Sequence, residues 1–494
     1  MVKKSGGNAA RAGVAALLIG VATLAGAQAN DQVQTKQYDD GGVYKGTFKD
    51  GIQDGKGTYT LPNGYTYTGT WVNGQIDGQG VAHFPNGSIY EGTFKQGKPD
   101  GKGKITTADG TSYTGDWVAG QMTGQGTIRY ANGMTYTGGF VNAVQTGHGR
   151  MERSDGYVYD GDWANGVQQG KGKITYPDGT TYEGDLVNGQ REGKGTLTMP
   201  DGLIYVGTWK DGQTNGTGKL TQPNGDVYDG PFVNGKREGK GHVTLANGDT
   251  YDGDFVADQR QGQGTLRGKD GYLYQGDWLE GRIEGQGTVT YPDHSVYTGA
   301  FKNNVAEGQG KITYADGSTY EGGWVGGVIN GTGTAHFANG VVYVGGFKDA
   351  KNDGQGVLTA PGGYRYDGQW ANGLREGDGT VTYADGSIYT GKFVDGNREG
   401  QGTFSMPNGF KYIGEWKAGA INGKGVATYP NGDTYDGMFS DGKLQGQGTI
   451  HYASGEQASG VWDNGKLTGS DKVAPDASGT TPPAEGGAVP APGN

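Results

Sequence analysis

A tyrosine followed two residues later by glycine recurs every 23 residues from Tyr44 to Tyr435, eighteen times, with no insertion or deletion. A period held that strictly over most of a 494-residue chain excludes a string of ordinary globular domains. It requires an array in which each repeat packs chiefly on its neighbours. Composition sharpens the point: glycine contributes 105 residues and proline 16, hydrophobic residues only 32%, yet aromatics 11%, including 31 tyrosines. Without a period, such a makeup would border on low-complexity disorder. With one, rings become the chief core material.

Counting each repeat tyrosine as position 0, position 4 is Phe or Trp in every repeat except at Leu186. All nine tryptophans fall there, from Trp71 to Trp462. Positions 2, 11 and 13 are always glycine, and position 15 is always apolar, as in Ile105, Ile128, Leu197 and Val289. Positions 14 and 16 are mostly Thr, Lys, Arg or His, so the second half of the repeat alternates as a half-buried strand does. Asn-Gly or Asp-Gly at positions 19 and 20, as at Asn63-Gly64, predicts a tight hairpin turn with positive backbone dihedrals. A second, glycine-rich connection is expected over positions 6 to 11.

The fold class that follows is all-β, an elongated single-sheet β-hairpin solenoid of about 18 tandem 23-residue repeats. Thirty-six strands at about 4.8 Å each would extend roughly 170 Å. Positions 0, 2 and 4 of the first strand and 13, 15 and 17 of the second share one face, so rings and aliphatic side chains gather opposite backbone-only glycine sites. The other face, rich in Thr and Lys, is expected to be wet. The ring column is the main candidate site, either closed core or an open binding or dimerisation stripe. It comprises Tyr67, Trp71, Tyr113, Trp117, Tyr159, Trp163, Tyr205, Trp209, Tyr274, Trp278, Tyr320, Trp324, Tyr366, Trp370, Tyr412 and Trp416.

No catalytic set assembles. His83, His336 and His451 occupy position 16 on the polar face, repeats apart and too far from one another to share a metal; His148, His242 and His294 are scattered. Gly216-Thr217-Gly218 lacks the strand-loop-helix setting of a phosphate loop. No cofactor, metal or catalytic residue is expected. Arg191, Arg237, Arg375 and Arg398 beside Glu192, Glu238, Glu376 and Glu399, at positions 9 and 10, are read as solvated turn charge along one edge. Lys56, Lys102, Lys171, Lys194, Lys240 and Lys424 at position 12 could meet anionic headgroups or acidic glycans locally.

The pattern Tyr-x-Gly-x-(Trp/Phe)-x-x-Gly-x-x-x-Gly-x-Gly, as in "YTGTWVNGQIDGQG" from Tyr67 to Gly80, resembles the MORN (membrane occupation and recognition nexus) repeat. Departures are few: position 7 is Ala143, Asp258, Asn304 or Ala350 instead of glycine, and His294 replaces one turn glycine. The resemblance implies a non-enzymatic scaffold for protein–protein contact, homodimerisation or attachment near membranes, with phospholipid binding as the rival reading. An envelope glycan binder or an enzyme is more remote.

Residues 1–29 read as a secretory signal peptide. Basic Lys3, Lys4 and Arg11 precede an uncharged run from Ala12 to Ala29, and small-residue patterns at Ala27 and Ala29 place a cleavage site before Asn30. The mature chain is expected to be secreted across the inner membrane of a bacterium and to reside in the periplasm or envelope. Residues 30–43 form an N-terminal lead-in, 44–469 the array with a degenerate nineteenth repeat, and 470–494 a disordered Pro/Ala/Gly tail. Removing three cations shifts the formal charge from −11 to −14, which argues against nucleic acid as a partner.

Overall fold

The computed structural model describes residues 30–470. The signal segment, with Ala27 and Ala29, and the tail beyond Ser470 lie outside the described residues. Every described element is a β-strand. The chain divides into two compact units, residues 1–246 and 247–494, each holding nine of the repeat tyrosines, and within each unit successive strands pair antiparallel.

One repeat stands for the rest. The first strand, Ile89–Lys95, has seven residues and the second, Lys98–Thr106, has nine. Tyr90 pairs with Ile105 and Gly92 with Gly103; on the far side Ile105 pairs with Tyr113 and Gly103 with Gly115. Ring, aliphatic and ring therefore alternate along one row crossing the strands, with an all-glycine row beside it. Forty strands are described rather than thirty-six. The additions are the lead-in strand Asn30–Gln37, the terminal hairpin Gln457–Asp463 with Lys466–Ser470, and a break that splits one second strand into Lys236–Arg237 and Gly239–Thr244.

The turns correct the sequence reading. The connection expected over positions 6 to 11 is a two-residue turn at positions 6 and 7. Asn73 and Gly74 have φ of 46° and 81°, with Val72 and Gln75 paired across them. This type I′ turn matches strand twist, so positions 8 to 11 are already strand. At positions 17 to 21 only the glycine is left-handed: Gly64 has φ 92°. Leu61 N–H donates to Tyr65 O at 2.8 Å and Gly64 N–H to Leu61 O at 3.0 Å. That is a three-residue loop closed by a left-handed residue. Its asparagine acts through the side chain, Asn63 Oδ1 accepting Tyr65 N–H at 3.0 Å.

The four non-glycines at position 7 keep the turn conformation, with φ of 66° at Ala143, 75° at Asp258, 71° at Asn304 and 60° at Ala350; His294 has φ 69°. A left-handed alanine carries a steric cost of about 1–2 kcal/mol, partly offset by the greater freedom of glycine in the unfolded chain. Ala350→Gly is therefore expected to stabilise the second unit by about 0.5–1 kcal/mol, read as a rise in urea midpoint at unchanged slope. A fall would contradict this account of the turn.

Between the Gly92–Gly103 and Phe94–Pro99 pairs the register slips, so Asp100, Gly101 and Lys102 stand opposite Thr93 alone. Gly101 carries the bulge with φ 95°. Where position 3 is aspartate its side chain caps the bulge: Asp116 Oδ2 accepts Gln125 N–H at 2.9 Å, Asp185 Oδ2 accepts Lys194 N–H at 3.0 Å, and Asp277 Oδ2 accepts Gln286 N–H at 2.7 Å. Pro231 occupies position 3 in the one repeat whose second strand is split.

Candidate interaction surface

The repeat tyrosine lies along its own strand. In all eighteen repeats its hydroxyl donates to the carbonyl of position 3, at distances such as 3.0 Å from Tyr90 to Thr93 and 2.7 Å from Tyr159 to Asp162. To reach it the ring passes over positions 2 and 13. A Cβ on Gly92 would stand 2.7 Å from Tyr90 Oη, and one on Gly103 would stand 2.6 Å from Tyr90 Cε2. Those two glycines are required by close approach, not by backbone conformation.

Position 4 of the following repeat closes the stack. Tyr44 meets Trp71 edge-to-face at 5.0 Å, Tyr90 meets Trp117 at 5.1 Å and Tyr389 meets Trp416 at 5.0 Å. All sixteen candidate column residues are buried in the single chain, between 0% exposure at Tyr67 and 9% at Trp370. The structure brings them together as packed rings, and no open stripe remains along them.

Eight indole N–H groups donate to the glycine carbonyl at position 13 of the preceding repeat, as in Trp117 to Gly103 at 3.2 Å and Trp163 to Gly149 at 2.9 Å. Trp71 is the exception, its Nε1 buried without a partner. Its position-15 neighbour is the ring of Tyr59, at 6.0 Å; where Phe404 takes that place the bond from Trp416 to Gly402 is a long 3.4 Å. Trp117→Phe should cost about 1 kcal/mol more than Trp71→Phe, since only the former gives up a made hydrogen bond. Equal losses by thermal melting would contradict the assignment.

The position-9 arginines are half-buried over rings rather than free in solvent. Arg191 lies 4.2 Å over Trp209, Arg398 lies 4.4 Å over Trp416, Arg375 lies 5.2 Å over Phe393 and Arg237 lies 5.6 Å over Tyr228. Arg191 and Arg375 each also donate to a turn carbonyl of the next repeat, Gly212 and Gly396, at 2.7 Å. Burial lowers the pKa of Arg398. The position-10 carboxylates reach across repeats as well: Glu192, Glu376 and Glu399 accept the N–H groups of Asp211, Asp395 and Ala418 at 2.9, 3.0 and 2.9 Å. Charges read as loose edge decoration bind one repeat to the next.

What remains outward is the face of positions 1, 3, 12 and 14. In the first unit it forms an open trough of about 940 Å³, floored by the glycine rows and walled by paired charges. His148 Nε2 stands 3.0 Å from Asp160, Lys171 Nζ 2.8 Å from Asp185, and Lys102 Nζ 2.5 Å from Asp116 just beyond. The lysine contacts hold the carboxyls of Asp185 and Asp116 below their ordinary range. Lys56 donates to Thr70 Oγ1 at 2.8 Å, and Lys194, Lys240 and Lys424 are exposed. His83, His336 and His451 are exposed too. His242 stands 3.1 Å from Thr244 Oγ1. Among the described residues no three His, Asp or Glu side chains are placed to hold a metal.

Eighteen consecutive segments, from residues 44–64 to 435–457, match the MORN repeat. The chain belongs to the MORN repeat family. No curated protein matches it. Among solved structures, the TCP10 domain of Danio rerio CPAP in complex with a STIL peptide is 15% identical, covering 54% of this chain and 93% of that one at a TM-score of 0.17. The TCP domain of Drosophila melanogaster SAS-4, with a proline-rich motif of Ana2, is 18% identical over 43% and 97% of the two chains at 0.18. A streptogramin B lyase is 13% identical over 59% and 90% at 0.11. At such scores the likeness says nothing of ligand or partner.

The MORN pattern leaves one feature unmarked. A second set of rings follows the three-residue turns, at position 17 and at position 21 two residues before the next repeat tyrosine, as in Tyr157 with Tyr176 at 5.9 Å and Tyr364 with Tyr383 at 6.1 Å. The surplus of tyrosines over repeats was its signal. Because these positions vary between repeats, periodicity alone does not raise them.

Proposed function

We propose that this MORN array is a non-enzymatic scaffold working outside the cytoplasm, which holds protein partners, or a second copy of itself, on its polar face. One observation carries the reading. Positions 0, 2, 11 and 13 never vary and position 4 is Phe or Trp in all repeats but one, all of them committed to the packing and bulges of the array itself. Outward positions instead change, position 1 running Thr137, Asp160, Glu183, Val206 over four repeats. An unvarying interior beneath a variable exterior at fixed pitch supports many weak contacts acting together.

Reversing the trough with Lys171→Glu and Lys194→Glu tests this in the mature chain. A protein captured from an envelope extract by the wild type is expected to be lost from the variant, whose melting temperature stays unchanged; equal capture contradicts the proposal. Light scattering separates self-association from a foreign partner, since twice the single-chain mass assigns the face to a second copy. Phospholipid is the rival, and retention on anionic vesicles in co-sedimentation would favour it. Export predicts a mature N-terminus at Asn30, read by terminal sequencing.

A further inference from the structure

Among the described residues the only exposed aromatic side chains are Tyr314, at 38%, and Phe337, at 47%. They stand in consecutive repeats at position 17, with the half-buried Tyr291 one repeat before them. In several other repeats such a ring is covered by a ring at position 21 of the preceding repeat, as Phe84 is by Tyr65 at 5.7 Å and Tyr291 is by Tyr272 at 6.3 Å. Here that partner shrinks to serine. Ser295 and Ser318 each close a turn, accepting the N–H of Tyr291 and Tyr314 at 2.8 Å, and each turns its hydroxyl to its own turn aspartate, Asp293 or Asp316. The row thus presents three rings in successive repeats with small serines between them, Ser295 buried and Ser318 half-buried.

Successive rings are two strands apart, about 9.6 Å. A polyproline II helix repeats every three residues at 3.1 Å rise, about 9.3 Å per turn, and aromatic-lined surfaces are how such segments are gripped. The three turns, residues 291–295, 314–318 and 337–341, contain Asp293 and Asp316 and no lysine or arginine. Charge complementarity therefore selects a basic segment.

We propose that the edge formed by Tyr291, Tyr314 and Phe337 binds a proline-rich segment of a protein partner in the polyproline II conformation, with prolines packed against the exposed rings of Tyr314 and Phe337 and a lysine or arginine beside Asp293 or Asp316. This rests on the reading of the array as a protein scaffold and gives that scaffold a specific ligand class, at a place separate from the trough.

The probe is a fluorescent synthetic peptide with proline at every third position and one terminal arginine, titrated by anisotropy into the mature chain. Saturable binding is expected. Tyr314→Ala with Phe337→Ala should weaken it about 10-fold or more, as loss of aromatic anchors does. Both rings are exposed, so circular dichroism should be unchanged; Phe337→Ser alone provides a milder variant. Replacing the terminal arginine by glutamine should weaken binding several-fold at low salt and little at high salt. The proposal is overturned if the peptide fails to bind, if the double variant binds it equally well, or if a cello- or chito-oligosaccharide takes the rings in its place. Should the double variant still capture a partner through Lys171 and Lys194, the scaffold reading survives while this one falls.

Discussion

Gly103→Ala is expected to destabilise the first unit by about 3 kcal/mol, at the upper end of what overpacking costs. The added methyl stands where the Tyr90 ring already lies, 2.6 Å from Cε2. The ring cannot swing aside without giving up its 3.0 Å bond to the Thr93 carbonyl and its edge-to-face contacts with Phe94 and Trp117. Urea unfolding reads the loss. Two companions identify the cause. Tyr90→Phe keeps the ring and should cost only about 1 kcal/mol, the worth of one hydrogen bond. Tyr90→Leu combined with Gly103→Ala should cost less than the sum of the two single changes, because the clash needs both partners. Strict additivity would show that Gly103 matters for some reason other than the ring above it.

Raising the pH is expected to unfold the whole array in one narrow window. Burial pushes the hydroxyls of Tyr44, Tyr136, Tyr205 and Tyr343 up to about 12, and those of Tyr67, Tyr90 and Tyr412 higher still. An unfolded tyrosine ionises near pH 10. The folded chain therefore holds protons that the unfolded chain has released, and its stability falls as pH rises. The tyrosine contribution is intact below about pH 10 and is lost between there and about pH 12 and above. Because burial shifts the repeat tyrosines in one direction along the array, tyrosinate absorbance and loss of strand circular dichroism should rise together. Tyrosinate forming in a chain that keeps its strands would mean that these hydroxyls are not sealed in.

Most of the fold was legible because one period states it eighteen times. Parity placed Tyr90, Phe94 and Ile105 on one face, and the register agrees. Turn types were less legible. Asn-Gly at positions 19 and 20 and at positions 6 and 7 looks alike in composition, yet only the second uses both residues at positive φ. The difference lies in whether the asparagine backbone or its side chain makes the turn, and composition does not distinguish the two. The arginines were misread for a related reason. Position 9 is Ile76 or Ile283 in some repeats and Arg191 or Arg398 in others, and the long aliphatic stem can lie on rings where an isoleucine would. Identity alone suggested solvent, whereas the shared position indicates the ring side. Tyr314 and Phe337 depended on a gap, the absence of a ring at Ser295 and Ser318, and a consensus conceals gaps.

The central claim is that the Tyr and Trp column is closed core, so that partners meet the array on its other surfaces. Acrylamide quenching of the nine tryptophans, on mature chain shown by light scattering to be a single copy, tests it most directly. Weak quenching with blue-shifted emission, unaltered when a partner binds, is the predicted result. Strong quenching in the free chain that a partner suppresses would contradict it, and would make the column itself the binding surface.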